Sequence, residues 1–217
     1  MQAGEVIWHP SPNFGARRGT ARPELVVLHY TAMNSAEAAL ERLCDPAFEV
    51  SAHYLIAADG RIWQMVEEDH RAWHAGAGDW QGRADVNSRS IGIELDNSGH
   101  VPFSNPLMTA LESLIGQVLL RHDISPDGVI GHSDLAPGRK IDPGPKFDWA
   151  RLARQGLARP TPDHGPGEGV FRTLARAAGY TADASDEAIL KALRDRYAPH
   201  RSGPASGDDL GLLAALA

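Results

Sequence analysis

Two histidines and one aspartate stand where a hydrolytic metal centre would need them. His29 lies near the end of the short apolar run LVVLHY. His132 follows a second apolar run and opens a loop rich in proline and glycine, and Asp142 lies in that loop. Two imidazoles and one carboxylate carried at strand ends supply three protein ligands. They leave a fourth position open, as hydrolytic zinc sites require. The spacing alone is not specific. The chain holds 10 histidines in 217 residues, any of which can be a surface or core hydrogen-bonder, and Asp142 could simply cap its loop.

Two further residues could act beside such a metal. Glu94 is the single charge in the apolar segment SIGIEL, and burying a carboxylate without a partner is costly. Proton transfer next to a metal-activated water would explain it. A solvent-facing strand position would explain it equally well. Lys140 precedes Asp142 by two residues, so in extended backbone both point to the same side. An ammonium there could hold an oxyanion; taken alone, a solvated lysine beside Arg139 is the simpler account. Other nucleophiles are scarce. Cys44, the single cysteine, sits at a helix end beside Asp45 and Pro46 and reads as a half-buried small hydrophobe. It permits no intramolecular disulfide and no cysteine-rich structural zinc site. No Gly-x-Ser-x-Gly elbow occurs.

The elements that must position these residues follow from pattern. Residues 25–30 and 90–95 are short apolar runs and read as buried strands, and 128–132 as a third. Residues 51–57 and 61–66 read as strands joined through Asp59-Gly60, a hairpin signal. Residues 35–43 form a helix capped by Ser35. Apolar residues at helical spacing mark a helix over 105–121, and Asp148 caps another over 148–157. Residues 1–24 read as an irregular arm, 70–89 as a long functional loop, and 133–147 as a second loop. Strands and helices mix without strict alternation. The expected class is α/β (α+β): a central mixed β-sheet flanked by helices, with a small C-terminal helical subdomain. The main domain takes residues 1–158 and a Pro/Gly-rich linker 159–169. Three helical patterns follow at 170–178, 185–197 and 208–216.

Composition narrows the partners. A formal net charge of -7 disfavours nucleic acid, which needs a basic face, and adsorption to anionic membranes. No apolar run is long enough to span a bilayer. The N-terminus has no basic region followed by an apolar one, so no signal peptide is read.

The segments LVVLHYTA, SAHYLIAADGRIWQMV, RAWHAG, SIGIELDN and GHSDLAPGRKIDPGP, in that order, closely resemble the type-two N-acetylmuramoyl-L-alanine amidases. That group includes phage lysozyme amidases and animal peptidoglycan recognition proteins, and the nearest likeness is to the bacterial AmiD and AmpD types. The likeness runs over about residues 25–156, and its block HSDLAPGRKIDPGP is highly specific. It implies one zinc ion per chain on His29, His132 and Asp142, with Glu94 as catalytic acid or base and Lys140 stabilising the oxyanion. The substrate implied is a muropeptide, cut between N-acetylmuramic acid and L-alanine.

The same resemblance marks candidate substrate contacts. His53 and Tyr54 are expected near the cleft floor, His53 being equally readable as a core histidine bonded to backbone. Trp73, His74 and Ala75 belong to the AWHAG loop. A groove role is favoured for His74, and for Trp73 the anchoring of its loop over a contact with sugar or stem peptide. Asn34, just past the His29 strand, is a further candidate contact. His9, His70, His100, His122, His164 and His200 match no segment and read as surface residues. The tail, with GY at 179–180 and LRDRYAP at 193–199, resembles a peptidoglycan-binding three-helix module, expected here mainly to cover apolar surface of the main domain. Without an export signal, the expectation is a cytoplasmic monomer that recycles anhydro-muropeptides. The alternatives are a binding-only module and an envelope amidase acting on intact wall.

Overall fold

The computed structural model describes residues 6–20 and 22–217. Its centre is a six-stranded mixed sheet. β3 (Leu25–Tyr30) and β7 (Ser90–Leu95) pair in parallel along their full lengths. β8 (Val129–Gly131) adds in parallel to the outer side of β3. On the other side β4 (Tyr54–Ile56) runs parallel to β7, and β5 (Ile62–Gln64) returns antiparallel to β4. β1 (Val6–Trp8) closes that edge, parallel to β5. A two-stranded antiparallel sheet of β2 (Phe14–Ala16) and β6 (His70–Ala72) lies apart.

The two central strands are buried on both faces, as parallel strands usually are. Their alternating side chains divide between two environments. Val26, Leu28, Ile91, Ile93 and Leu95 enter one apolar cluster with α3 (Asn105–His122) and α5 (Trp149–Arg154). Helix α3 presents Leu107, Leu111, Leu114, Ile115 and Val118 to it, the spacing of one helical face. Its start is capped by Ser104, whose Oγ accepts the Leu107 N–H.

The opposite face carries two separate apolar clusters. Leu55 and Trp63 pack with Leu40 and Leu43 of α1 (Ala36–Cys44), whose N-cap is Ser35. Leu25, Val27, Ile130 and Leu135 pack with the C-terminal helices α6 (Phe171–Ala177), α7 (Asp186–Tyr197) and α8 (Gly207–Leu216). Those helices therefore share a core with the sheet. Between the two clusters lies a polar row: Ser90, Gly92 and Glu94 on β7, with His29 beside Glu94 on β3.

Three expectations need correction. The N-terminal arm contains β1 and β2 rather than irregular chain. The stretch 70–89 contains β6 and the one-turn helix α2 (Val86–Arg89). The third strand stops at Gly131, and His132 begins another one-turn helix, α4 (His132–Leu135). Among the described residues no helix is long and apolar enough to cross a membrane.

Candidate metal centre

Three distant pieces of chain meet at the C-terminal ends of the central strands. β3 delivers His29, the turn of α4 delivers His132, and the loop after it delivers Asp142. Nδ1 of His29, Nδ1 of His132 and Oδ2 of Asp142 form a triangle with edges of 2.9, 3.0 and 3.0 Å. All three residues are buried. Among the described residues this is the one histidine and carboxylate group compact enough to hold a metal ion.

The surrounding hydrogen bonds fix where the protons lie. Ser90 Oγ donates to the Val86 carbonyl at 2.6 Å, so it accepts from His74 Nε2–H at 3.1 Å. His74 Nδ1 is then bare and accepts from His29 Nε2–H at 3.0 Å, which leaves His29 Nδ1 bare. His132 Nε2–H donates to the Ala75 carbonyl at 2.9 Å, which leaves His132 Nδ1 bare as well. Two imidazole lone pairs and a carboxylate oxygen thus face one another without a proton between them. That arrangement repels itself unless a cation sits among the three. Nitrogen, nitrogen and oxygen donors with their outer nitrogens tied to the protein are what a catalytic zinc site uses.

Charge states agree with ligation. Burial, and then the neighbouring His132, lower the His29 pKa to about 4. The imidazole is therefore neutral at neutral pH. His74 is likewise pushed well down, by burial first and then by the surrounding histidines.

Glu94 faces the same cleft. It is the register partner of His29, and its Oε2 is buried with no protein hydrogen-bond partner. Burial, and then the Asp142 charge, raise its pKa to about 8, while the Lys140 charge opposes the shift. A carboxyl tuned upwards and left unpartnered in a cleft is suited to proton transfer. Lys140 is exposed at the rim and lines the cleft. The cavity, about 420 Å³, is walled on the α1 side by Met33, Leu43 and Val50 and opposite by Arg139 and Ile141.

The remaining candidates divide. Trp73 is half-buried and forms part of the cleft wall. His74 also lines the cleft, with both ring nitrogens engaged as described. Ala75 is wholly buried and offers its carbonyl to His132 and to Arg139 instead of surface to a ligand. Asn34 is exposed in a shallow depression beside the cleft, which shares Thr31 and Met33 with it. His53 lies under the site: its Nδ1 accepts the Gly92 N–H at 2.9 Å and its Nε2–H donates to the His70 carbonyl at 3.1 Å. Tyr54 points to the α3 side of the sheet, where its hydroxyl donates to Glu68 at 2.7 Å. Neither forms the cleft floor. His122, expected at the surface, is packed against Glu68 at 2.7 Å.

Several supporting residues carried no sequence signal of their own. Asn87 Oδ1 accepts the backbone N–H groups of His74 and Ala75 at 3.0 and 2.8 Å, holding that loop over the metal ligands. Ser90 and Gly92 share the Glu94 face of β7, and a Cβ at Gly92 would collide with the His74 ring. Polar and small residues at every second position of an apolar strand were the available clue. Ala32, just after β3, adopts a left-handed backbone at φ 52°, a strained state for alanine that recurs at functional sites.

Residues 19–145 match the family described as N-acetylmuramoyl-L-alanine amidase. The chain is 40% identical over 158 residues to N-acetylmuramoyl-L-alanine amidase AmiD of Escherichia coli (strain K12), covering 65% of this chain but only 56% of that protein. It is 35% identical over 160 residues to 1,6-anhydro-N-acetylmuramyl-L-alanine amidase AmpD of Citrobacter freundii, covering 66% of this chain and 86% of that one. Its fold is similar to the solved AmiD from E. coli in complex with the substrate anhydro-N-acetylmuramic acid-L-Ala-D-gamma-Glu-L-Lys. There the TM-score is 0.80 at 32% identity, covering 92% of this chain and 91% of that one.

Proposed function

This chain belongs to the N-acetylmuramoyl-L-alanine amidase family, and on that premise we propose that it is a zinc-dependent amidase. It hydrolyses the amide between N-acetylmuramic acid, or its anhydro form, and the L-alanine of a stem peptide. The observation that carries this reading is the convergence of three bare donors on His29, His132 and Asp142 beside the unpartnered Oε2 of Glu94.

Zinc held by those donors would supply Lewis acidity, making water a stronger acid and polarising an amide carbonyl. Glu94 takes the proton of the attacking water at Oε2 and returns it to the departing amine. For that it must be ionised; burial holds its pKa at about 8 despite the Lys140 charge, and a cation on the neighbouring donors would favour the ionised form further. The Lys140 ammonium then holds the carbonyl oxygen as negative charge grows on it. Trp73, in the cleft wall, packs against glycan or peptide, with Asn34 at the outer rim. Recycling of anhydro-muropeptides in the cytoplasm is the role we assign. It is supported by relatives whose names or bound substrates carry the anhydro sugar.

The test is mass-spectrometric detection of muropeptide cleavage by the full chain, with and without a chelator, followed by zinc add-back. Loss with chelator and recovery with zinc is expected, with anhydro-muropeptides cut faster than intact-glycan fragments. Faster cleavage of intact glycan would point to wall lysis instead of recycling. No cleavage by zinc-loaded protein would favour a binding module.

A further inference from the structure

Two of the three metal-facing residues, His132 and Asp142, attach to a single helical turn, and that turn is tied to the C-terminal helices. α4 begins with His132, and two residues later comes Asp134, a fully buried carboxylate. Its Oδ2 accepts the Gly131 N–H at 2.8 Å, closing the turn at the residue before His132. The same oxygen accepts from Arg196 Nη1 at 2.7 Å, and Oδ1 accepts from the Tyr180 hydroxyl at 3.0 Å. Arg196 lies on α7 and Tyr180 just past α6. Arg196 Nη2 also donates to the Val129 carbonyl at 2.8 Å, on the strand that leads to His132. The second ligand hangs from the same turn, because the Ser133 N–H donates to the Asp142 carbonyl at 2.9 Å.

We infer that Asp134, Arg196 and Tyr180 form a buried strut through which the C-terminal helices hold His132 and Asp142 at metal-binding distance. The inference rests on the zinc reading above. Arg196 and Tyr180 are positioning residues and touch neither metal nor substrate. A buried ion pair serving only cohesion could sit anywhere between helix and sheet. This one grips the chain at Val129, Gly131 and Asp134, on both sides of a ligand. Arg196 is also confined from behind, its guanidinium lying 4.6 Å from the centre of the Trp149 ring. Outer partners of metal ligands matter because small rotations of a donor weaken a bond that tolerates little misalignment.

The test compares zinc affinity, by competition with a chelator, in the wild-type full chain, Tyr180→Phe and Arg196→Met, alongside denaturant unfolding of the zinc-free proteins. Tyr180→Phe removes one oxygen and is expected to weaken zinc binding several-fold with little change in zinc-free stability. Arg196→Met is expected to weaken it by about 10–100-fold, the range for outer-sphere partners of metal ligands, and Arg196→Lys to recover part of the loss. Unchanged zinc affinity in Tyr180→Phe and Arg196→Met, with only stability lowered, would overturn the strut and leave the zinc reading intact. Should Arg196→Met fail to fold, unchanged affinity in Tyr180→Phe alone would overturn it. A wild-type chain that takes up no zinc would sink both readings together.

Discussion

Ile91, Ile93 and Leu95 of β7 enter the dry cluster under α3, while on the other face of the same strand Glu94 lines the cleft and Ser90 and Gly92 lie against His74. The two sets interleave residue by residue, so one six-residue strand serves cohesion on one side and chemistry on the other. The α3 face is built from branched and aliphatic side chains with no exposed surface. The cleft face gives up that packing for a serine that sets a histidine tautomer, a glycine that makes room for it and a carboxyl that finds no partner. Stability and reactivity are therefore separable by substitutions one residue apart.

The strongest probe of that separation is Glu94→Gln. Turnover should fall by about 10²–10⁴-fold, the usual contribution of a positioned acid or base, while the fold is kept. The same variant reads out linkage. The folded Glu94 carboxyl holds its proton to about pH 8, against 4.5 for an ordinary one. Between those values the unfolded chain has released a proton that the folded chain still binds, so this residue's contribution to stability declines as pH rises from 4.5 to about 8. Subtracting the zinc-free Glu94→Gln unfolding profile from the wild-type profile should expose that slope, because titrating groups that do not interact with Glu94 cancel. A flat difference would place Glu94 in water.

One residue away, Ile93→Ala should cost about 2–5 kcal/mol in denaturant unfolding, the range for large aliphatic truncations in a core. Zinc affinity and turnover per folded molecule should stay at wild-type values. A loss of zinc affinity there would mean that the two faces are coupled through the strand. The mildest contrast uses one substitution twice. Gly92→Ala pushes a methyl into the His74 ring and should weaken zinc binding by roughly 10-fold through His29. Gly116→Ala, in the interior of α3 with only Leu157 within ordinary contact, should stabilise the protein by about 0.4–1 kcal/mol without touching zinc affinity. Equal responses at the two glycines would erase the distinction between the faces.

Much of the scaffold was legible in the chain. β3 and β7 occupy the residues their apolar runs mark, and Ser35 caps its helix as its position suggests. The short strands β1, β2 and β6 were not. Each is three residues long and is held by a partner remote in sequence, so periodicity had no length in which to show itself. At the site, residue types and motif pointed to His29, Glu94, His132 and Asp142. The links that set their protons did not show. The His29–His74–Ser90 chain and the grip of Arg196 on Asp134 join residues whose neighbourhood exists only after folding. Tyr54 was misplaced for a simpler reason. Adjacent residues of a strand face opposite ways, so His53 and Tyr54 could not share a site.

The parallel match of His29 with Glu94 also bears on how assembly errors are caught. A slip of either strand by one residue would turn its polar side chains towards Leu111 and Ile115 and bring isoleucine or leucine into the cleft. Such a chain would bury an imidazole or a carboxylate in hydrocarbon and would lose the packing under α3. The apolar face thus acts as a proofreader for the reactive one: a molecule misaligned at the metal donors is also one that fails to hold together.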